Sequence, residues 1–317
     1  MFKQKKRVFT AVLLCFFVSF MLSACGETSA KHKVAVITKS TDSEFFKAVQ
    51  AGANAASAEY NLEMTFEGPA SEEDYEAQNA LIRSAVKDGA EAIVLSAIDY
   101  NRNAETVDEA AQTGVKIVVI DSDVNSKSVS CKIGTNDYKA GISAADAALA
   151  LNSGNLYVGI VNFDQNTKNG QEREKGFRER IGEISRVKSV ITVNVASDIE
   201  GAQAGAIQML TEHPEINVLV TYNEWTSLGC GWAIRALDAK DRVDVIVFDN
   251  NPVSVGMLES GEVDALVVQR PYAMGYLGVE AAYHLLCGKQ PEDALYTETS
   301  TVTRENMYTP EMQEILF

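Results

Sequence analysis

Seven short apolar runs punctuate the chain: Val34–Ile37, Ile93–Leu95, Ile117–Ile120, Leu156–Val161, Val218–Val220, Val243–Phe248 and Leu266–Val268. They are rich in Val and Ile and do not alternate with polar residues, the pattern of strands covered on both faces. The segments between them carry helical spacing. Phe46, Val49, Gly52, Ala53 and Ala56 recur at three- and four-residue steps, as do Ala77, Leu81 and Ala85. Glu72, Glu73 and Asp74 precede the second stripe and Lys87 ends it, a polarity that suits the helix dipole. Ser71 and Asp74 have the spacing of an approximate capping box. Gly89 and Gly114 stand where a helix ends and a strand begins.

Strands alternating with helices predict an α/β fold with parallel sheets covered by helices on both faces. About ten such repeats exceed one ordinary doubly wound sheet, and no Pro- or Ser-rich linker divides the chain. The expected architecture is therefore two doubly wound parallel-sheet lobes joined by several chain crossings, with a cleft between them. Ligands of open α/β sheets bind beyond the carboxyl ends of the strands.

The first 25 residues do not share this rhythm. Lys3, Lys5, Lys6 and Arg7 precede an apolar run from Val8 to Leu22, the layout of an export signal. The run ends in Leu22-Ser23-Ala24-Cys25, which resembles a bacterial lipobox. The expectation is a signal peptide over 1–24, lipidation of Cys25, and a polar tether over 25–32. Lipid would then hold the folded part on the outer face of the cytoplasmic membrane.

Composition narrows the function. There are 28 Lys and Arg against 44 Asp and Glu, a formal charge of -16, which argues against nucleic acid as a partner. Cys131, Cys230 and Cys287 form no CxxC and are expected to be buried free thiols. Asp121 to Asn125 begins like a calcium loop, but Ser126 replaces the required Gly and Lys132 the bidentate Glu, so no metal is expected. No nucleophile elbow or phosphate-binding loop is present, and Gly229-Cys230-Gly231 is only half a dinucleotide fingerprint. No enzyme activity and no cofactor are expected.

What remains is a set of polar and aromatic residues just past the strand ends. They are Ser43 to Phe46, Ser96 and Asp99, Asp121, Thr221 to Trp225, Asp249 to Asn251, and Gln269 with Arg270. Asp121 or Asp249 alone reads equally well as a helix cap. Together the residues suit a neutral polyhydroxylated ligand: carboxylates and amides meet hydroxyls, and aromatic faces cover an apolar C–H face. An anionic ligand would want more cations than Arg173 and Arg270.

Over residues 33–303 the chain resembles the type I periplasmic, or solute-binding, proteins of sugar ABC transporters, in particular the ribose-binding branch. The resemblance rests on Ser43–Ala56 and on 88–99, 114–123, 209–224 and 245–252. It implies a first lobe of 33–135 plus 270–298 and a second of 136–269 plus 299–307. It also implies three crossings, near Thr135–Asp137, Asp249–Pro252 and Gln269–Pro271. Carried over by position, Phe45 and Phe46 match the aromatic pair, Asp121 and Asp249 the hydroxyl-binding acids, Asn223 the cleft amide and Gln269 the hinge amide. Arg173 matches the second-lobe arginine, with Gln171 the alternative two positions away.

Ser43 and Ser96 stand where ribose binders have Asn, Ser122 stands where they have Arg, and Trp225 is a bulky neighbour of Asn223. The resemblance implies a monomeric lipoprotein that captures a sugar or polyol and hands it to a membrane permease. Alternatives that keep the fold are a co-receptor for a membrane sensor kinase, a signal-molecule receptor, or a sugar-responsive repressor; the last needs an N-terminal helix-turn-helix where the export signal stands.

Overall fold

The computed structural model describes residues 31–316. The expected signal peptide, Cys25 and most of the tether lie outside the described residues. Twelve strands and ten helices alternate along the described chain.

The first sheet holds β1 (Lys33–Ile37), β2 (Glu63–Glu67), β3 (Ala92–Leu95), β4 (Lys116–Ile120), β5 (Val129–Thr135) and β11 (Ala294–Thr297), in the order β11-β5-β4-β3-β1-β2. The second holds β6 (Leu156–Asn162), β7 (Val187–Asn194), β8 (Val218–Thr221), β9 (Asp244–Phe248), β10 (Ala265–Val268) and β12 (Ser300–Thr303), in the order β12-β10-β9-β8-β6-β7. The first sheet is parallel throughout. In the second only the β10–β12 pair is antiparallel. Five strands in each sheet repeat one order, so β4 and β9 occupy equivalent places. All seven apolar runs coincide with these strands, Val243 alone standing one residue before its strand, and their side chains fill the core clusters on the two faces of each sheet.

The helices are α1 (Glu44–Glu59), α2 (Tyr75–Lys87), α3 (Ala104–Gln112), α4 (Asp137–Leu151), α5 (Lys168–Gly182), α6 (Ile199–Glu212), α7 (Glu224–Ala236), α8 (Pro252–Ser260), α9 (Pro271–Leu286) and α10 (Pro310–Leu316). Helix α1 buries the predicted stripe of Phe46, Val49, Gly52, Ala53 and Ala56. Helix α2 departs from prediction. Its cap is Asp74, whose carboxylate accepts from the Ala77 N–H at 2.8 Å, rather than a box built on Ser71. Its buried face is Gln78, Asn79, Ile82 and Ala85, with two polar residues inside. The Gln78 amide donates to Thr38 O and Ser96 O and accepts from the Ile98 N–H, tying together the ends of β1 and β3. Those backbone groups would otherwise be buried without partners, which outweighs the apolar pattern.

The chain passes between the sheets three times. After β5 it enters α4, which packs on α5 beside the second sheet. After β10 it enters α9, which packs on α1 beside the first. The third passage is Glu298-Thr299, between β11 and β12. The crossing expected at Asp249–Pro252 does not exist, because β9, α8 and β10 all belong to the second lobe. The strand-end polarity at Asp249 marks the cleft rather than a change of lobe. Cys131 and Cys230 are buried free thiols, whereas Cys287, one residue past α9, is exposed, against expectation.

Crossing helices dock by close backbone approach. A Cβ on Gly141 of α4 would sit 2.0 Å from Arg173 O of α5, and one on Gly176 would sit 2.0 Å from Tyr138 O. Gly52 and Gly275 do the same for α1 and α9. Gly141 therefore fixes where Arg173 stands. Gly141→Ala is expected to force the helices apart and lower stability by about 1–3 kcal/mol, read as a fall in melting temperature of several degrees.

Candidate ligand-binding site

The carboxyl ends of both sheets converge on one cleft. Its walls are Lys39, Ser43, Phe45, Phe46, Glu72 and Asp121 from the first lobe, and Phe163, Asn169, Arg173, Asn223, Glu224, Trp225, Asp249 and Gln269 from the second. The space between them, counted with the part that opens to solvent, is about 330 Å³.

Arg173 is the centre. It is 1% exposed. Its Nε donates to Asp137 Oδ1 at 2.9 Å, Nη1 to Tyr222 O at 2.6 Å and Nη2 to Gln269 Oε1 at 2.8 Å, with the Phe248 ring against its guanidinium. A guanidinium carries five N–H donors, so two are left for a ligand. Gln171, the alternative, is exposed and bonds to Gln165 O. Gln269 also accepts from Thr135 Oγ1 at 2.7 Å and donates to Asp249 Oδ1 at 2.6 Å. One amide thus ties two chain crossings to a cleft carboxylate.

Asp121 and Asp249 are not helix caps. They follow equivalent strands, β4 and β9, and both adopt left-handed backbone, with φ of 54° and 68°. Such a conformation costs a non-glycine residue of order 1 kcal/mol and persists where the surroundings enforce it. Here backbone bonds from Asp121 N to Ile133 O and from Asp249 N to Val267 O hold the turns at the adjacent strands. Ser96 Oγ and Asn169 Nδ2 donate to Asp121, and Lys39 Nζ lies 3.9 Å from it. Burial pushes the Asp249 carboxyl up to about 7, against the opposing pull of Arg173 and the Gln269 hydrogen bond. Burial also raises Asp137, Glu72 and Glu224, the last opposed by bonds from Phe45 and Glu44.

Nine of the ten predicted ligand residues share this cavity. Ser96 does not reach its wall; it lies behind Asp121 and positions that carboxylate. Ser43 both lines the cavity and caps α1, its Oγ accepting from the Phe46 N–H at 3.1 Å. Asn223 caps α7 through the Thr226 N–H and donates to Ser197 Oγ. Phe45 and Phe46 meet edge to face at 5.2 Å, which leaves no room for a further ring between them. Of the other strand-end residues, Asp99 is consumed by its own turn through Asn101 N and Arg102 N, and Asn251 by a capping box on α8.

Sequence reasoning missed Lys39, Glu72, Phe163 and Asn169. Lys39 and Phe163 stand one or two residues past β1 and β6, where the strand-end rule reaches. Asn169 precedes Arg173 by four residues and so shares its helix face. Glu72 sits in the connection after β2, with no signal to find it.

Residues 34–290 match the family described as periplasmic binding protein domain. The chain belongs to this family. It is 30% identical over 298 residues to the D-ribose/D-allose-binding protein of Pseudomonas aeruginosa, covering 90% of this chain and 93% of that one. A carbohydrate transporter solute binding protein from Agrobacterium radiobacter, solved with D-arabinose, superposes with a TM-score of 0.88 at 28% identity, over 92% of this chain and all of that one. An ABC transporter solute binding protein from Agrobacterium vitis with bound D-fucose gives 0.86 at 27% identity, over 90% of this chain and all of that one. The two lobes are those of the type I periplasmic binding protein fold, and these relatives are binding proteins, not enzymes.

The buried acid at Asp249 gives a pH signature. Its carboxyl titrates near 4 in the unfolded chain and near 7 in the folded one. The stability it contributes is full below about pH 4 and is lost as pH rises through about 7. Asp249→Asn keeps the acceptor for Gln269 and removes the titration. Without ligand, the wild type's melting temperature should fall more steeply than the variant's between about pH 4 and 8. Equal slopes in a differential scan would contradict the burial of this charge.

Proposed function

We propose that the chain is the extracytoplasmic receptor of a sugar ABC transporter, a monomeric lipoprotein that closes on a neutral sugar and delivers it to the permease. One observation carries the reading: two acids, an arginine with two of its five N–H donors free and an aromatic pair converge on a single cleft. Asp121 and Asp249 accept from ring hydroxyls, and the two free N–H groups of Arg173 donate to them. Phe45 and Phe46 cover the C–H face, where ring contacts add about 0.5–1.5 kcal/mol beyond area burial. Asp121, Asp137, Asp249, Glu72 and Glu224 outnumber Lys39 and Arg173 in and around the space, which disfavours phosphates and carboxylates. The family and its sugar-bound members support an extracytoplasmic place, and Cys25 supplies the anchor.

D-Ribose, D-allose, D-arabinose and D-fucose form the first panel for thermal shift. A ligand at 100 times its dissociation constant adds about 2.7 kcal/mol. Asp249→Ala should melt as one cooperative unit and lose at least tenfold in affinity, since a charged hydrogen bond contributes about 1.5–3 kcal/mol. Unchanged affinity in calorimetry would remove Asp249 from the site.

The anchor has its own test. Cys25→Ala should leave sugar binding intact and release the protein into the soluble fraction after a high-salt wash. A variant that stays with the membrane, its N-terminus unprocessed, would show a plain apolar anchor instead.

A further inference from the structure

The binding space has a neighbour. A groove of about 960 Å³ runs along the outside of the cleft, walled by Asp42, Ser71, Ser197 and Asp198. It shares only Glu72 and Trp225 with the inner space. These two side chains are the partition between them, and they come from opposite lobes.

The partition is closed by hydrogen bonds. Trp225 Nε1 donates to Glu72 Oε1 at 2.9 Å, and Ser40 Oγ to the same oxygen at 3.2 Å. Ser197 Oγ donates to Glu72 Oε2 at 3.1 Å and accepts from Asn223 Nδ2 at 2.7 Å. Glu72 is 9% exposed and has donors on both oxygens, two of them from the second lobe. Separating the lobes breaks the Trp225 and Ser197 bonds and joins the two spaces; bringing them together reseals the wall. Nothing attached to the ligand on this side can cross the plane of the indole while the bond is made.

We infer that the Glu72–Trp225 pair is a size shutter, which restricts the ligand to one unsubstituted on the side facing the outer groove and gives way to larger sugars when either partner is shortened. The inference rests on the sugar-binding reading above. It makes Trp225 a specificity-determining residue.

The test uses D-ribose and D-allose with their singly O-propylated derivatives, one ether at each ring position, titrated into wild type, Trp225→Ala, Glu72→Ala and Glu72→Gln. The readout is the affinity of each ether relative to its parent sugar, so a general loss of affinity cancels. Wild type and Glu72→Gln, which keeps an acceptor for the indole, should refuse the ether at the groove-facing position. Trp225→Ala and Glu72→Ala should each raise its relative affinity by tenfold or more while leaving the other positions as they were. Each variant's thermal melt confirms that it folds. Parent sugars that bind with the same ether profile in all four proteins overturn the shutter and leave the sugar reading standing. Failure of both parent sugars to bind wild type, at concentrations that saturate a millimolar site, overturns the shutter together with the ribose-like reading on which it rests.

Discussion

A guanidinium held almost wholly out of water is the constraint around which the cleft is organised. Leaving such a charge unpaired would cost several kcal/mol, so the surroundings of Arg173 must supply partners. They come from widely separated parts of the chain: Asp137 at the start of the first crossing helix, Gln269 at the second crossing, and the Tyr222 carbonyl past β8. Gly141 lets the crossing helix come close enough for the Asp137 bond. The pairing is incomplete by two donors, and Arg173 lines the cleft together with Asp121 and Asp249.

The lobes repeat one solution. Asp121 and Asp249 end equivalent strands, share a strained backbone, and stand on opposite lobes of the cleft. Each is bonded by an amide, Asn169 or Gln269, from a helix or hinge of the second lobe. The contacts between lobes are also reciprocal. Glu72 reaches from the first lobe to Trp225 and Ser197, and Glu224 reaches from the second to the Glu44 and Phe45 N–H groups at the start of α1. The second contact uses the positive end of a helix. The contact between the lobes is thus stabilised by carboxylates from both sides.

Much of this was legible in the sequence. The buried strands announced themselves as unbroken Val and Ile runs, and the polar residues following them marked the cleft because parallel sheets bring those ends together. The half-exposed strands gave no such signal. In β2 the five residues alternate between exposed and partly covered, and β11 is largely exposed, so neither forms an apolar run. The third crossing, at Glu298-Thr299, follows β11 and agrees with the lobe bounds that the family resemblance implies, whereas the crossing read at Asp249–Pro252 mistook a polar strand end for a change of lobe. Ser96 was legible as polar and cleft-side but not as a support for Asp121, because its role depends on a neighbouring strand. Glu72 as a cleft residue was invisible: its partners in the other lobe are 125 and 153 positions away, and only the closed fold brings them together.

The most direct test is a crystal structure of the protein with the panel sugar that binds it best. The account predicts the sugar ring against Phe45 and Phe46, with hydroxyl oxygens within hydrogen-bond distance of Asp121, Asp249 and the two free Arg173 donors, and with Arg173 still bonded to Asp137 and Gln269. A sugar seated elsewhere, or an Arg173 that abandons those partners on binding, would contradict it.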